Sequence, residues 1–311
     1  MILFKSESLI GGKLMKILNY GSLNIDKIYN VSRLVEPGHA KIAKGYEVMS
    51  GGKGLNQSVA LKKAGFQEVF HAGNIGKNGD FLKYTLLEYG IDISHLTKSN
   101  IDTGHAIIQV ADDGMHTILV YSGSNYNNKK HEIDQVIDSF EVGDCLLVQN
   151  EINNVPYIIE KASQAGMRIF YNPSPFNKEV LNVSLENIET IIVNEYELLM
   201  ITESKTADEA VKKLSKYNIN VLFTKGKAGG TYYGSNKQVI EYKAYEVDEV
   251  DTTAVGDVFV GYFVAEVMLN NSIKNALEIS AYAAALSTTK VGTVLSIPSI
   301  DEVDLHFGEK I

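Results

Sequence analysis

Apolar positions along this chain fall into runs of two kinds. KILNY (16–20), EVFHAG (68–73), CLLVQNE (145–151), MRIFYNPSP (167–175), the first half of ETIIVNEYELLM (189–200) and INVLFTKGKAGG (219–230) have strand length and end in polar or glycine turns. Between them, helical spacing recurs. It is seen in Leu55, Val59, Ala60 and Ala64 up to a stop at Gly65, in GDFLKYTLLEYG (79–90), in VPYIIEKASQAG (155–166) and in the second half of 189–200. TADEAVKKLSKY (206–217) adds another helix, opened by a capping box of Thr206 and Glu209. Such alternation predicts an α/β fold, a Rossmann-like and mostly parallel sheet with helices on both faces. Two stretches break the rhythm. Residues 28–50 hold short β-branched runs and the turn EPGH at 36–39, and residues 103–125 alternate like a hairpin turning at Asp112, Asp113 and Gly114. Together they predict a small β-sheet lid. No repeat, low-complexity tract or proline-rich linker divides the chain, so one domain over 16–311 is expected, with residues 1–15 as an N-terminal extension.

One run stands apart. VFVGYFVAEVML (258–269) is apolar on nearly every side, with only Glu266 charged, and predicts a helix buried all round. The residues before it, DTTAVGD (251–257), put Asp257 in its first turn. Unpaired N–H groups at a helix start, backed by the positive end of the dipole, make a seat for an anion such as phosphate, and Gly256 lets that backbone come close. The bland alternative is that Asp251 or Thr253 caps a core helix. That leaves the second carboxylate, beside the glycine, without a purpose. An aspartate held where a phosphoryl group rests is placed to take the proton from an attacking hydroxyl.

Composition narrows the classes. The formal net charge of -9, with no basic block, opposes nucleic-acid binding. No apolar run reaches the roughly 18 residues that span a bilayer, and the N-terminus is too polar and broken for a signal peptide, so no membrane partner is expected. The single cysteine, Cys145, lies in an apolar run and reads as core in a cytoplasmic protein. The seven histidines are scattered, which gives a zinc site nothing to rest on. A GxxxxGK[ST] loop, a GxGxxG turn and a GxSxG elbow are all missing from the sequence. Asp26, Glu151, Asn194 and Thr224 fall at ends of predicted strands, where ligands bind in parallel sheets.

GGKG at 51–54 and NEYE at 194–197 are each ordinary alone, the first a glycine turn and the second a capped helix start. In this order, ahead of DTTAVGD, they make a set that resembles the ribokinase-like carbohydrate kinase (PfkB) family, from about residue 16 to about 300. GGKGLNQS is similar to the family's N-terminal glycine motif, DTTAVGD to the C-terminal motif with the catalytic aspartate, NEYE to its NxxE, and TKGKAG (224–229) to its nucleotide-binding turn. The resemblance implies that Asp257 is the base, with Ala254, Val255 and Gly256 completing the catalytic loop. It implies a sugar held by Asn24, Asp26, Gly52, Lys53, Asn56 and Glu151, and magnesium organised by Asn194 and Glu197. Thr224, Lys225, Gly226, Lys227 and Gly229 would line the nucleotide, and Ala281 would stand near adenine, where the family usually has Asn or His. Asp251 and Thr253, with Ser287, Lys290, Gly292 and Ser296, fall where the family binds a monovalent cation, K+, largely through carbonyls. In the lid, PGHA (37–40) and GMH (114–116) replace the common PGET and GEN. The implied reaction is ATP-dependent transfer of the γ-phosphate to a primary hydroxyl of a small sugar, D-ribose foremost. Another sugar, a nucleoside, or a non-catalytic sugar-binding sensor of the same fold stays open. A homodimer joined through the lid is also implied.

Overall fold

The computed structural model describes residues 9–10 and 13–308; the rest of the expected N-terminal extension lies outside the described residues. Two short strands, β1 (Leu9–Ile10) and β2 (Lys13–Leu14), pair with each other. Met15 is already part of the core.

In chain order follow β3 (Ile17–Tyr20), β4 (Asn24–Val31), β5 (Gly45–Gly51), α1 (Lys53–Lys63), β6 (Val69–Ile75), α2 (Asp80–Glu88) and β7 (Asp92–Lys98). Next come β8 (Gly104–Ala111), β9 (His116–Tyr121), α3 (Lys130–Ile137), β10 (Cys145–Gln149), α4 (Val155–Gln164) and β11 (Arg168–Asn172). The remainder is β12 (Thr190–Asn194), α5 (Glu195–Thr202), α6 (Ala207–Leu214), β13 (Asn220–Thr224), β14 (Gly230–Tyr233), β15 (Val239–Tyr242), α7 (Val255–Met268), α8 (Ile273–Ser287) and α9 (Ile300–Gly308).

Among the described residues the main sheet has nine strands in the order β15-β14-β13-β12-β11-β10-β3-β6-β7. From β13 to β7 every pairing is parallel, and β14 and β15 run antiparallel at one edge. The parallel strands are buried on both faces, which is why they read as continuous apolar runs. In β10, Cys145 and Leu147 join the core under α1, α7 and α8, while Leu146 and Val148 join the core under α3, α4 and α6. The expected α/β class, with helices on both faces and a second small sheet, is the one observed.

The second sheet has the order β5-β4-β8-β9. Its first strand starts at Asn24, so Asp26, expected at the end of a main-sheet strand, belongs with Asn24 to the lid. Only Gly21, Ser22 and Leu23 separate the two sheets, and a chain that short enters the next strand at once. At α6, Thr206 Oγ1 accepts from Glu209 N–H, but Glu209 Oε2 takes the Lys205 N–H. The predicted capping box is thus half formed, its return bond landing one residue before the cap. No helix among the described residues is long and apolar enough to cross a membrane.

α1 and α7 bring the two glycine motifs together. A Cβ at Gly261, in the middle of α7, would lie 2.4 Å from Ala60 Cβ and 2.9 Å from Gln57 O on α1. A mid-helix glycine costs roughly 1 kcal/mol relative to alanine. Here it permits a close crossing that sets the start of α7 beside the start of α1.

Candidate active site

Gly52 begins α1 in a left-handed conformation, φ 95°, and its N-cap position supplies no side chain. The first-turn amides find partners elsewhere: Lys53 N–H donates to Glu151 Oε2 at 3.0 Å and Gly54 N–H to Ser22 Oγ at 3.2 Å. Ser22 Oγ donates in turn to the same Glu151 oxygen. Glu151 therefore serves α1 as a capping anion from two residues beyond β10.

At the neighbouring helix the cap is Ala254, with φ 61°, and neither Asp251 nor Thr253 caps α7. A left-handed alanine costs about 1 kcal/mol. It turns the chain so that Val255, Gly256 and Asp257 form the first turn, whose N–H groups lack helical acceptors; Val258 N–H closes the first bond, onto Ala254 O at 3.0 Å. A Cβ built on Gly256 would meet nothing within 4 Å. The space above the helix start is open.

Asp257 is buried, and its carboxylate accepts from Asn56 Nδ2 at 3.1 Å through Oδ2 and from Gln57 Nε2 at 3.0 Å through Oδ1. Lys53 Nζ stands 3.9 Å from Oδ1. The Asp257 carboxylate is the main influence holding the Lys53 ammonium above its usual range, against burial, with help from Glu151 and Glu197. Asp26, whose carboxylate lies so close to Gly51 that a Cβ there would be 2.0 Å from it, is pushed up to about 7 by burial first, then by Glu151 and Asp257. Asn24 Oδ1 accepts from Asn125 Nδ2 at 2.7 Å. Asn56 Oδ1 is buried without a partner.

On the other side of Lys53 and Asp257 opens a cleft of about 1120 Å³. Asn194, Glu197, Thr224, Gly226, Lys227, Gly229, Val255, Gly256 and Ala281 all line it. Asn194 and Glu197 also form a full capping box on α5, Glu197 N–H to Asn194 Oδ1 at 2.9 Å and Asn194 N–H to Glu197 Oε2 at 3.0 Å. Their place on the cleft wall and the helix cap use the same residues. Gly229 has φ 84° and a Cβ there would come within 2.1 Å of Tyr242 O, so the turn 224–229 needs its glycine. Lys225 is the exception in that turn. Its Nζ lies 3.2 Å from Thr231 Oγ1 and over the Phe223 ring, away from the cleft, because the backbone at this step points it to the far side of the β13–β14 pair.

The residues expected at a cation are drawn together only in part. Asp251 Oδ1 accepts from Thr253 N–H at 2.8 Å and Thr253 Oγ1 at 2.6 Å, and Oδ2 accepts from Gly292 N–H at 2.9 Å. Burial pushes this carboxyl up, but these donors outweigh it and hold it below its usual range. Ser287 and Ser296 hydroxyls donate to Ala284 O and Thr293 O, and Lys290 Nζ turns out to Glu302. Any ion held there would meet backbone carbonyls and Asp251, not these three side chains.

Residues 15–300 match the family described as pfkB family carbohydrate kinase. The chain belongs to that family. It is a phosphotransferase with an alcohol group as acceptor. Among known proteins it is similar to the ribokinase of Staphylococcus aureus, 32% identical over 305 residues that cover 93% of this chain and 98% of that one. The ribokinase of Haemophilus influenzae is 33% identical over 296 residues, covering 91% and 95%. A crystal structure of ribokinase from Cryptococcus neoformans var. grubii serotype A in complex with ADP superposes with a TM-score of 0.80 at 28% identity, over 94% of this chain and 99% of that one. Gln57, Ser22 and Asn125, which hold the kinase's named site residues in place, are absent from the sequence-derived set. Gln57 at least carries a signal, as a polar residue on the buried face of α1 between Gly54 and Leu61.

Proposed function

We propose that this chain is an ATP-dependent ribose kinase that moves the γ-phosphate to the primary hydroxyl of D-ribose, giving ribose 5-phosphate. The observation that carries the reading is the position of Asp257, at the start of α7, between the buried polar set on the lid side and the open cleft. In this reading the hydroxyl oxygen forms its bond to the γ-phosphorus as the bond to the departing ADP oxygen breaks, and the hydroxyl proton passes to Asp257. Lys53 and the first-turn amides of α7, in the catalytic loop Ala254, Val255, Gly256 and Asp257, face the charge that develops. A helix dipole gives an anion only ~0.3 to 1 kcal/mol, so placement and exclusion of water by the lid must supply most of the effect.

Asn24, Asp26, Gly52, Asn56 and Glu151 would hold the sugar, and the unpartnered Asn56 Oδ1 fits a hydroxyl donor. The nucleotide would lie along Thr224, Gly226, Lys227 and Gly229 toward Ala281. The donor set of Glu197 and Asn194 is hard oxygen with an amide, which suits magnesium held through water; when bound, that ion neutralises phosphate charge. A buried free thiol at Cys145 and the need for ATP fit a cytoplasmic setting.

The deciding experiment is Asp257→Asn, assayed for ATP consumption and for ribose binding by calorimetry. Turnover should fall by ~10²–10⁴-fold with ribose binding retained. Turnover within about tenfold of wild type would remove Asp257 from the base role. A panel of ribose, deoxyribose, fructose and nucleosides on the wild type decides the acceptor, and ribose binding without ATP consumption would favour a sensor.

Potassium activation belongs to the same reading. Asp251 spans the loops at 253 and 292 just ahead of α7, so an ion on the carbonyls beside it would stiffen the anion seat. Replacing tetramethylammonium by potassium at fixed ionic strength should raise activity saturably. A flat profile would refute the cation site and leave the kinase standing.

A further inference from the structure

Asp257 is held by a buried network of amides that joins Asn172, on the cleft wall, to Gln149 and Asn19 in the core. Gln57, fully buried on α1, donates from Nε2 both to Asp257 Oδ1 at 3.0 Å and to Asn172 Oδ1 at 3.1 Å. Its Oε1 accepts from Gln149 Nε2 at 2.6 Å, and the same Gln149 nitrogen donates to Asn19 Oδ1 at 2.8 Å. Asn19 Nδ2 then donates to Gly54 O at 2.7 Å and Ser58 Oγ at 2.8 Å. Both ends of the chain are anchored on backbone carbonyls, since Asn172 Nδ2 donates to Ile192 O at 2.9 Å. A carbonyl only accepts, so the sense of every amide between the two ends is determined. Flipping Gln57 would set its oxygen against the Asp257 carboxylate and its nitrogen against that of Gln149.

A network that merely tied α1 to β3, β10 and β11 would be a costly way to do so. Buried amides must satisfy every atom to break even, and Gln149 Oε1 is left without a partner. Apolar side chains would hold the same elements with no such deficit. What the amides provide, and apolar groups could not, is an N–H of fixed direction at the carboxylate.

We propose that Gln57 is a positioning residue for phosphoryl transfer: its amide, locked by Asn172, Gln149 and Asn19, fixes the orientation of the Asp257 carboxylate through Oδ1. The inference rests on the reading of Asp257 as the base. The charged groups acting with that carboxylate are Lys53 on α1 and Asp26 on β4; Glu151 beyond β10 acts on both of these, and Glu197 on Lys53.

The test uses the full chain with Gln57→Leu, Gln57→Glu and Asp257→Asn side by side. Steady-state constants for ribose and ATP, the pH profile of kcat and thermal unfolding are measured for each. Gln57→Leu should lose on the order of 10²-fold in kcat while both KM values stay within about threefold. Gln57→Glu, of the same shape, should move the acid limb of kcat upward by about a pH unit or more, because a second carboxylate opposes ionisation of the first. Wild-type kcat in Gln57→Leu would overturn the proposal. So would an unmoved acid limb in Gln57→Glu, which also decides the matter where Gln57→Leu fails to fold. An active Asp257→Asn sinks the base reading itself, whereas an inactive one beside an unshifted Gln57→Glu profile sinks only the role of Gln57.

Discussion

Asp26 is a site carboxyl that burial holds well above its usual range. Burial, then Glu151 and Asp257, raise its carboxyl from an ordinary 3.8 to about 7. Between those values the native state holds a proton that the unfolded chain has released, so ν_N exceeds ν_U and stability falls as pH rises through the window, by at most about 1.4 kcal/mol per unit. Above the folded value the slope vanishes. Asp26→Asn should therefore gain more stability over wild type at pH 8 than at pH 5 in urea titrations, while its ribose affinity drops. An equal difference at both pH values would mean that Asp26 is ionised throughout. Glu151 is a poorer probe of the sugar, since it also caps α1. That double use could not be seen in the sequence: VQNE announces a carboxylate beyond a strand, and only the fold shows that α1 begins beneath it. Gln57 was legible in type but not in role, because a helical period shows that a position is buried and says nothing of which polar atoms lie across from it.

The start of α7 tests whether an element, as distinct from a residue, forms the phosphate seat. A methyl group at Gly256 meets no protein atom, and alanine suits a helix better than glycine by up to about 1 kcal/mol. Gly256→Ala should then unfold no earlier than wild type. Its methyl would stand where a phosphate approaches the amides, and losing a charged hydrogen bond of ~1.5 to 3 kcal/mol raises the KM for ATP by about tenfold or more. Unchanged ATP kinetics would show that the phosphate lies elsewhere, whatever the sugar constants do. The strands that set this helix in place were readable because parallel strands buried on both faces are continuous apolar runs. Others were not. β7 is half exposed at the sheet edge, with Asp92 and His95 in its run, and β14 and β15 are short strands split by the turn around 234–238. α8 is alanine-rich from 281 to 285, so it lacks the contrast between faces on which a helical period depends.

On the scale of the whole molecule, the lid exposes more apolar surface than a free sheet should. Paired residues share a face, so the register places Asp26 on one side with Met49, Ala106 and Val120. The opposite side carries Tyr46, Val48, Ile107 and Leu119. Leu119 is 68% exposed and Ile118, on the sugar side of the edge strand β9, 56%. Both edges of this sheet, β5 and β9, are without a neighbouring strand among the described residues. An unpaired edge flanked by apolar side chains is a ready surface for association. A second copy of the chain, laying its own lid against this one, would cover the outer face of both by the same residues, as a twofold contact requires. Wild type should sediment as a dimer at micromolar concentration. Leu119→Lys, which puts a charge in the middle of that contact and touches nothing in the site, should sediment as a monomer. Its lid then lacks support from a partner, so the KM for ribose should rise while that for ATP holds. A wild-type chain that sediments as a monomer at the concentrations used for assay would refute the lid-to-lid dimer and leave the apolar face to be covered by something else.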